Sequence, residues 1–270
     1  MFYFIVLLII VFISYIFSFI VRAIAIKKDI IDKPNARSSH TTPTPRGGGL
    51  AIVLTWFAGL MYLYLSQQIE QNLFIALLFG VLLAMVSFFD DLIDIKPSIR
   101  LFIQSITAFG ALYFLNGFDL FTNNESNIIF YIINFFTFFG IIWFINLYNF
   151  LDGIDAYASF EAIMISIGIF IITNNIIFLF LVAAILGFLF WNWPKAKIFM
   201  GDIGSTQLGF IIVVLGIYFH NNGEFSIYNW LILTSLFWFD ATFTLFRRWR
   251  NKEKLSTAHK KHAYQRLVQG

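Results

Sequence analysis

The stretch Phe79-Gly-Val-Leu-Leu-Ala-Met-Val-Ser-Phe-Phe89 followed by Asp90-Asp91-Leu-Ile-Asp94 decides the fold. It ends an uncharged apolar run, residues 72–89, that is long enough to cross hydrocarbon as a helix. Three carboxylates then arrive within one turn or so of each other. Asp90 and Asp94, four residues apart, share a helical face. Like charges this close repel unless a cation offsets them or one is protonated. Either they hold a cation at the mouth of a membrane helix, or they form a solvated helix end or a cap for the next span.

The rest of the chain repeats the apolar pattern. Of 270 residues, 59% are hydrophobic, 20% aromatic and only 12% charged, and the mean hydropathy is +0.79. That exceeds what a soluble core of this length buries, so the chain reads as an all-α polytopic integral membrane protein. About nine spans are expected, at residues 2–26, 47–66, 72–89, 99–116, 128–148, 156–173, 176–192, 206–220 and 228–246, forming one membrane-embedded domain over 1–270. The first has no basic leader or small-residue cleavage site and reads as a retained span rather than a signal peptide. With no cysteines, disulfides, thiolate nucleophiles and Cys-ligated metals are excluded.

Threading nine spans alternately puts every Lys and Arg on one side. Arg22, Lys27, Lys28, Lys33, Arg37, Arg46, Lys96, Arg100, Lys195, Lys197 and the basic residues from Arg247 to Arg266 all fall there, while the opposite loops have none. The positive-inside rule makes that side cytoplasmic, with the N-terminus outside and the C-terminal tail inside. The net charge of +3 thus reflects orientation in the bilayer, with anionic lipids and nucleotides as partners and nothing pointing to nucleic acid.

The same threading gathers the polar motifs on the cytoplasmic face. Asn149-Phe-Leu-Asp152-Gly-Ile-Asp155 interrupts two apolar helices with an aspartate pair around a glycine; ionisable residues at a membrane edge are functional candidates, and a capped helix break is the alternative. Asn149 can donate and accept hydrogen bonds to a sugar, phosphate or base. Gly201-Asp202-Ile-Gly204-Ser205 opens a span, and the backbone N–H groups there favour phosphate. Asp202 repels anions, and a metal bridging it to a diphosphate resolves the conflict; a turn with an Asp cap has the same sequence. Arg46-Gly47-Gly48-Gly49 allows close backbone approach to a ligand or supplies positive φ. His259 and His262, with Arg266, suit a diphosphate or a peripheral basic helix. Glu161 and Asp240 are acids inside spans with no assignment.

Taken in order, these segments resemble the polyprenyl-phosphate N-acetylhexosamine-1-phosphate transferases, which include the phospho-muramoyl-pentapeptide translocase and the enzymes that start O-antigen and teichoic-acid chains. The resemblance runs through Asp32-Lys-Pro-Asn-Ala-Arg-Ser-Ser-His40, Pro45-Arg-Gly-Gly-Gly49, Phe89-Asp-Asp-Leu-Ile-Asp94, Asn149-Phe-Leu-Asp-Gly-Ile-Asp155, Phe199-Met-Gly-Asp-Ile-Gly-Ser205 and His259-Lys-Lys-His-Ala-Tyr-Gln-Arg266.

The resemblance implies transfer of a sugar 1-phosphate, from an N-acetylhexosamine or a 6-deoxy relative, from a UDP-sugar to undecaprenyl phosphate. UMP is released, Mg²⁺ is required with Mn²⁺ as the alternative, and the setting is the bacterial inner membrane. It further implies catalytic roles for Asp90, Asp91, Asp152 and Asp155 and metal binding by Asp91 and Asp202. Substrate contacts would come from Arg46, Asp94, Asn149, Gly201, Ser205, His259, His262 and Arg266. Dimers occur among relatives, so a homodimer is an expectation too. Asp94 and the tail string, with two histidines instead of three in a row, look like the O-antigen-initiating branch. Family members usually continue into one more helix, whereas this chain stops at Gly270, which makes a short or truncated form the expectation. Two competing classes are a transporter with an acidic cation or proton site and a non-catalytic short homologue.

Overall fold

The computed structural model describes residues 2–34, 40–121 and 127–252. Its helices are α1 (Phe2–Lys27), α2 (Gly49–Leu65), α3 (Gln71–Leu78), α4 (Gly80–Ile93), α5 (Pro97–Phe114), α6 (Asn127–Leu151), α7 (Tyr157–Thr173), α8 (Ile177–Asn192), α9 (Asp202–Asn221), α10 (Ile227–Leu233) and α11 (Ser235–Arg250). A two-stranded antiparallel ribbon, β1 (Ile31–Asp32) and β2 (Thr44–Pro45), follows α1, pairing Ile31 with Pro45 and Asp32 with Thr44.

Each expected apolar run is helical, but two of them are split. α3 and α4 meet at Phe79, and α10 and α11 meet at Thr234. At the second break the Thr234 hydroxyl donates to the Trp230 carbonyl at 2.8 Å, a back-bond that bends helices. Four stretches are long and apolar enough to cross a membrane: Phe2–Lys27, Gln71–Ile93, Asn127–Leu151 and Asp202–Asn221. The helices Gly49–Leu65, Tyr157–Thr173 and Ile177–Asn192 are shorter and also apolar. The chain is a multi-pass membrane protein.

Hydrophobicity runs inside out, as lipid demands. α1, the most apolar span, is only 17% buried, whereas α9, the least apolar of the four, is 94% buried. Lipid tails are as apolar as leucine, so helices associate through small residues and polar contacts rather than through water exclusion. α9 is the hub, packed on by α2, α4, α6 and α7. Its glycines let neighbours in: a Cβ on Gly209 would meet the Tyr148 Cβ at 2.9 Å, and one on Gly204 would lie 2.8 Å from the Gly49 Cα. At the α1–α8 crossing Gly187 faces the Val11 carbonyl, and the Ser14 hydroxyl donates to the Ala184 carbonyl at 2.6 Å. Outer faces are aromatic, with Phe135, Phe136 and Phe139 on α6 and Phe239, Phe243 and Phe246 on α11 all exposed.

Candidate active site

The end of the bundle that holds the C-termini of α4, α6 and α8 and the N-termini of α2 and α9 collects the polar motifs. A backbone clamp sets its geometry. Phe199 N–H donates to the Pro45 carbonyl at 2.8 Å, Gly48 N–H to Phe199 at 2.9 Å and Gly49 N–H to Met200 at 2.8 Å. The glycine run therefore approaches protein backbone closely. A Cβ on Gly48 would strike the Phe188 ring at 2.5 Å, and of the three glycines in this run only Gly47 has positive φ. Clamped this way, residues 199–201 deliver the first turn of α9 to the end of α4.

That first turn has no cap of its own, because Gly201 at the N-cap lacks a side chain. Asp91 supplies the cap from another helix: its Oδ1 accepts from Asp202 N–H at 3.1 Å and its Oδ2 from Ile203 N–H at 3.2 Å. A carboxylate here satisfies two orphan donors and lies at the positive end of the α9 dipole. Gly201 makes room, since a Cβ there would lie 2.7 Å from Asp91 Oδ2, and its φ of +76° suits glycine. The Arg46 guanidinium is close enough to offset part of the Asp91 charge.

Asp90 turns the other way. Its Oδ1 accepts from Ile95 N–H at 2.7 Å, and its Oδ2 accepts from Arg100 Nη1. The same Arg100 nitrogen reaches Asp202 Oδ2 at 3.4 Å, so one guanidinium bridges the α4 and α9 motifs. Asp94 is exposed and ends α4 in the left-handed region at φ 50°. Asn149, at the end of α6, donates to the Ser205 hydroxyl at 3.0 Å and lies beside the Asp202 carboxylate. Ser205 in turn donates to the Gly201 carbonyl at 3.1 Å.

Asp152, half-buried in the loop after α6, lies within electrostatic reach of Asp91, Asp155 and Asp202. Burial pushes its carboxyl up to about 7, with the charges of Asp202, Asp91 and Asp155 adding to the effect. Asp155 is used differently, its Oδ2 accepting from Ala196 N–H at 2.9 Å and tying this loop to the one after α8. A cleft opens beside the carboxylates, lined by Ser87, Arg100, Gln104, Asn146, Asn149, Asp202 and Thr206 among others. The structure thus joins Arg46, Asp90, Asp91, Asn149, Asp152, Gly201, Asp202 and Ser205, leaves Asp94 at the rim and makes Asp155 a tie. His259, His262 and Arg266 lie outside the described residues.

The sequence pattern of glycosyl transferase family 4 matches residues 73–220, from α3 to the end of α9, and so contains the α4, α6 and α9 motifs just described. The chain belongs to this family. Its relatives include a Bacillus subtilis protein named probable undecaprenyl-phosphate N-acetylglucosaminyl 1-phosphate transferase, 31% identical over 92% of this chain and 72% of its own length. An undecaprenyl-phosphate alpha-N-acetylglucosaminyl 1-phosphate transferase of Thermotoga maritima is 29% identical over 93% of this chain and 77% of its own. A phospho-N-acetylmuramoyl-pentapeptide-transferase of Streptococcus sanguinis is 30% identical over 66% and 60%.

Within this family 4 chain, Arg100 is the site residue that motif reading passed over. One signal was available. Pro97 opens α5, which puts Arg100 in the first turns of a helix, where the dipole opposes a cation and a carboxylate partner is needed. Gln104 and Asn146 were equally hidden. They exchange amide hydrogen bonds of 3.2 and 2.7 Å between α5 and α6, a pairing that only the packing of those helices creates.

Proposed function

We propose that this chain transfers an N-acetylhexosamine 1-phosphate from a UDP-sugar to undecaprenyl phosphate, releasing UMP. The observation that carries the reading is the set of four carboxylates at one membrane end, on family 4 motifs. Asp91 caps α9, Asp90 and Asp202 share Arg100, and Asp152 lies within electrostatic reach of Asp91 and Asp202. Both substrates are anionic, and joining them needs positive charge at the reacting phosphates. The names of the relatives agree with this reading.

A Mg²⁺ ion fits the residues present. Among the described residues Arg100 is the cation in ion-pair contact with this excess of negative charge, and Asp202 keeps 35% side-chain exposure on the cleft side. Mg²⁺ takes one or two carboxylates and fills its shell with water and substrate phosphate. Asp202, with Asp91 beside it, would hold the ion, which when bound offsets charge on the diphosphate and the leaving UMP.

The protein groups then divide the work. A lipid phosphate oxygen attacks the sugar-bearing phosphorus, and the bond to the UMP phosphate breaks as the new one forms. Asp152, poised near neutrality, takes the acceptor's proton when the lipid phosphate arrives protonated. Asn149 and Ser205 orient donor oxygens, and Arg100 and Arg46 steady phosphate charge. With both Asp90 oxygens bonded, to Ile95 N–H and to Arg100, direct attack is favoured over an intermediate on Asp90.

The site end carries Arg22, Lys27, Arg46, Arg100, Lys195 and Lys197, which supports a cytoplasmic site in a bacterial inner membrane with the N-terminus outside. The 6-deoxy donors, the O-antigen role and a homodimer belong to the same proposal. The test is a donor panel: purified chain, undecaprenyl phosphate, Mg²⁺ or Mn²⁺ and several UDP-N-acetylhexosamines. UMP and a lipid diphosphate sugar are expected with at least one donor, and chelation with EDTA should abolish both. No UMP with any donor would remove the reading.

Arg100 gives a sharper check on the metal. It competes with Mg²⁺ for the Asp90–Asp202 charge, so Arg100→Gln should lower the Mg²⁺ concentration for half-maximal activity about fivefold while kcat falls. A higher Mg²⁺ requirement would instead make Arg100 an organiser of the metal ligands.

A further inference from the structure

A second cationic cluster lies away from the carboxylates, at the site end of α1 and α8. Arg22 Nε donates to the Lys197 carbonyl at 3.1 Å. The Arg22 guanidinium lies 5.9 Å and Lys197 Nζ 5.4 Å from the centroid of the same Trp191 ring. Trp191 is itself fixed, its Nε1 donating to the Tyr15 carbonyl at 3.1 Å and its ring packed on Phe19 at 5.7 Å. Two positive charges are thus gathered over one indole. Neither has a carboxylate in ion-pair contact among the described residues. In the same loop Ala196 N–H donates to Asp155 Oδ2 at 2.9 Å, and Lys195 is a further exposed cation.

Like charges held together need an anion, and this pair sits where a bilayer offers one. Tryptophan and basic residues at the end of apolar helices mark the headgroup level. Arg22 keeps its terminal guanidinium N–H groups, and Lys197 keeps its ammonium N–H groups, for a phosphate. Toward the bilayer centre from the pair, Tyr15, Phe19 and Phe190 expose 37%, 49% and 64% of their surface, a ready wall for an acyl chain. α1 packs on α8 and α2, so this surface is separate from the α4–α5–α6 cleft.

We infer that Arg22, Lys197 and Trp191 form a binding site for the phosphate of an anionic phospholipid, distinct from the transferase site. Occupancy would steady the loop from Lys195 to Gly201, whose end carries Asp202.

The experiment titrates dioleoylphosphatidylglycerol, against dioleoylphosphatidylcholine, into the purified full chain in neutral detergent and reads bound lipid by native mass spectrometry. Lys197→Gln is the informative variant, because the Arg22 hydrogen bond uses the main-chain carbonyl and survives. Each of Lys197→Gln and Arg22→Gln should weaken phosphatidylglycerol binding about fivefold, leaving phosphatidylcholine unchanged. Thermal unfolding of each variant in detergent alone separates loss of charge from loss of fold. Equal binding of both lipids by the parent chain, or unchanged phosphatidylglycerol binding by Lys197→Gln, would overturn the inference. So would a Lys197→Gln defect confined to undecaprenyl phosphate, since that would make the cluster part of the acceptor site.

Discussion

Asp202→Asn is expected to lower kcat for UMP release by about 10²- to 10³-fold, the usual cost of losing a charged group aimed at a reacting phosphate. The substitution is nearly isosteric and leaves the backbone role of the residue intact. Asp202 N–H still donates to Asp91 at 3.1 Å, and its carbonyl still accepts from the Thr206 hydroxyl at 2.7 Å. Arg100 keeps its bond to Asp90. The melting temperature in detergent should therefore move by less than about 3 °C. What disappears is the negative charge facing the cleft beside Asn149 and Arg100, and with it the proposed hold on Mg²⁺. Steady-state kinetics at saturating Mg²⁺ and donor, run beside thermal unfolding, decide the matter; near-full turnover would take Asp202 out of the mechanism.

Gly49→Val should be the most damaging change to stability. A Cβ at Gly49 would lie 2.3 Å from the Gly204 Cα, 2.5 Å from the Gly204 nitrogen and 2.9 Å from the Met200 carbonyl oxygen. All three are backbone atoms, so no rotamer change relieves the clash, and α2 must separate from α9. Overpacking of this kind costs about 3 kcal/mol, or roughly a 10 °C fall in melting temperature for a chain of this size. Turnover should fall with it, because the clamp between residues 45–49 and 199–200 presents Asp202 to Asp91. Gly140→Ala on α6, where an added Cβ meets nothing, is the control and should cause no loss. A Gly49→Val protein that melts with the parent would show that this crossing is looser than its contacts indicate.

The motifs were legible because each pairs apolar runs with charges that lipid does not tolerate. Asp90, Asp91, Asp152 and Asp202 stood out against their helices, and the one-sided Lys and Arg placement gathered them at one end before any packing was known. Where the hydrogen bonds of each carboxylate go was not legible. Asp91, expected at a metal, also caps α9, and Asp155, expected to be catalytic, also accepts from Ala196 N–H in the loop after α8. The three glycines after Arg46 fitted a ligand cradle, and two of them pack against protein. Arg22 and Lys197 counted only as topology markers until both were seen over the Trp191 ring.

The sequence alone determined that this chain crosses a membrane many times as helices and which residues are forced to its ends. Hydrocarbon supplies no hydrogen-bond partner, so periodicity and charge placement have one solution. Only the tertiary structure decided which carboxylate faces a backbone N–H, which an arginine and which a cleft. Those choices depend on helix crossings set by contacts such as Gly49 on Gly204, between residues more than 150 positions apart, and no local pattern encodes a distance of that kind.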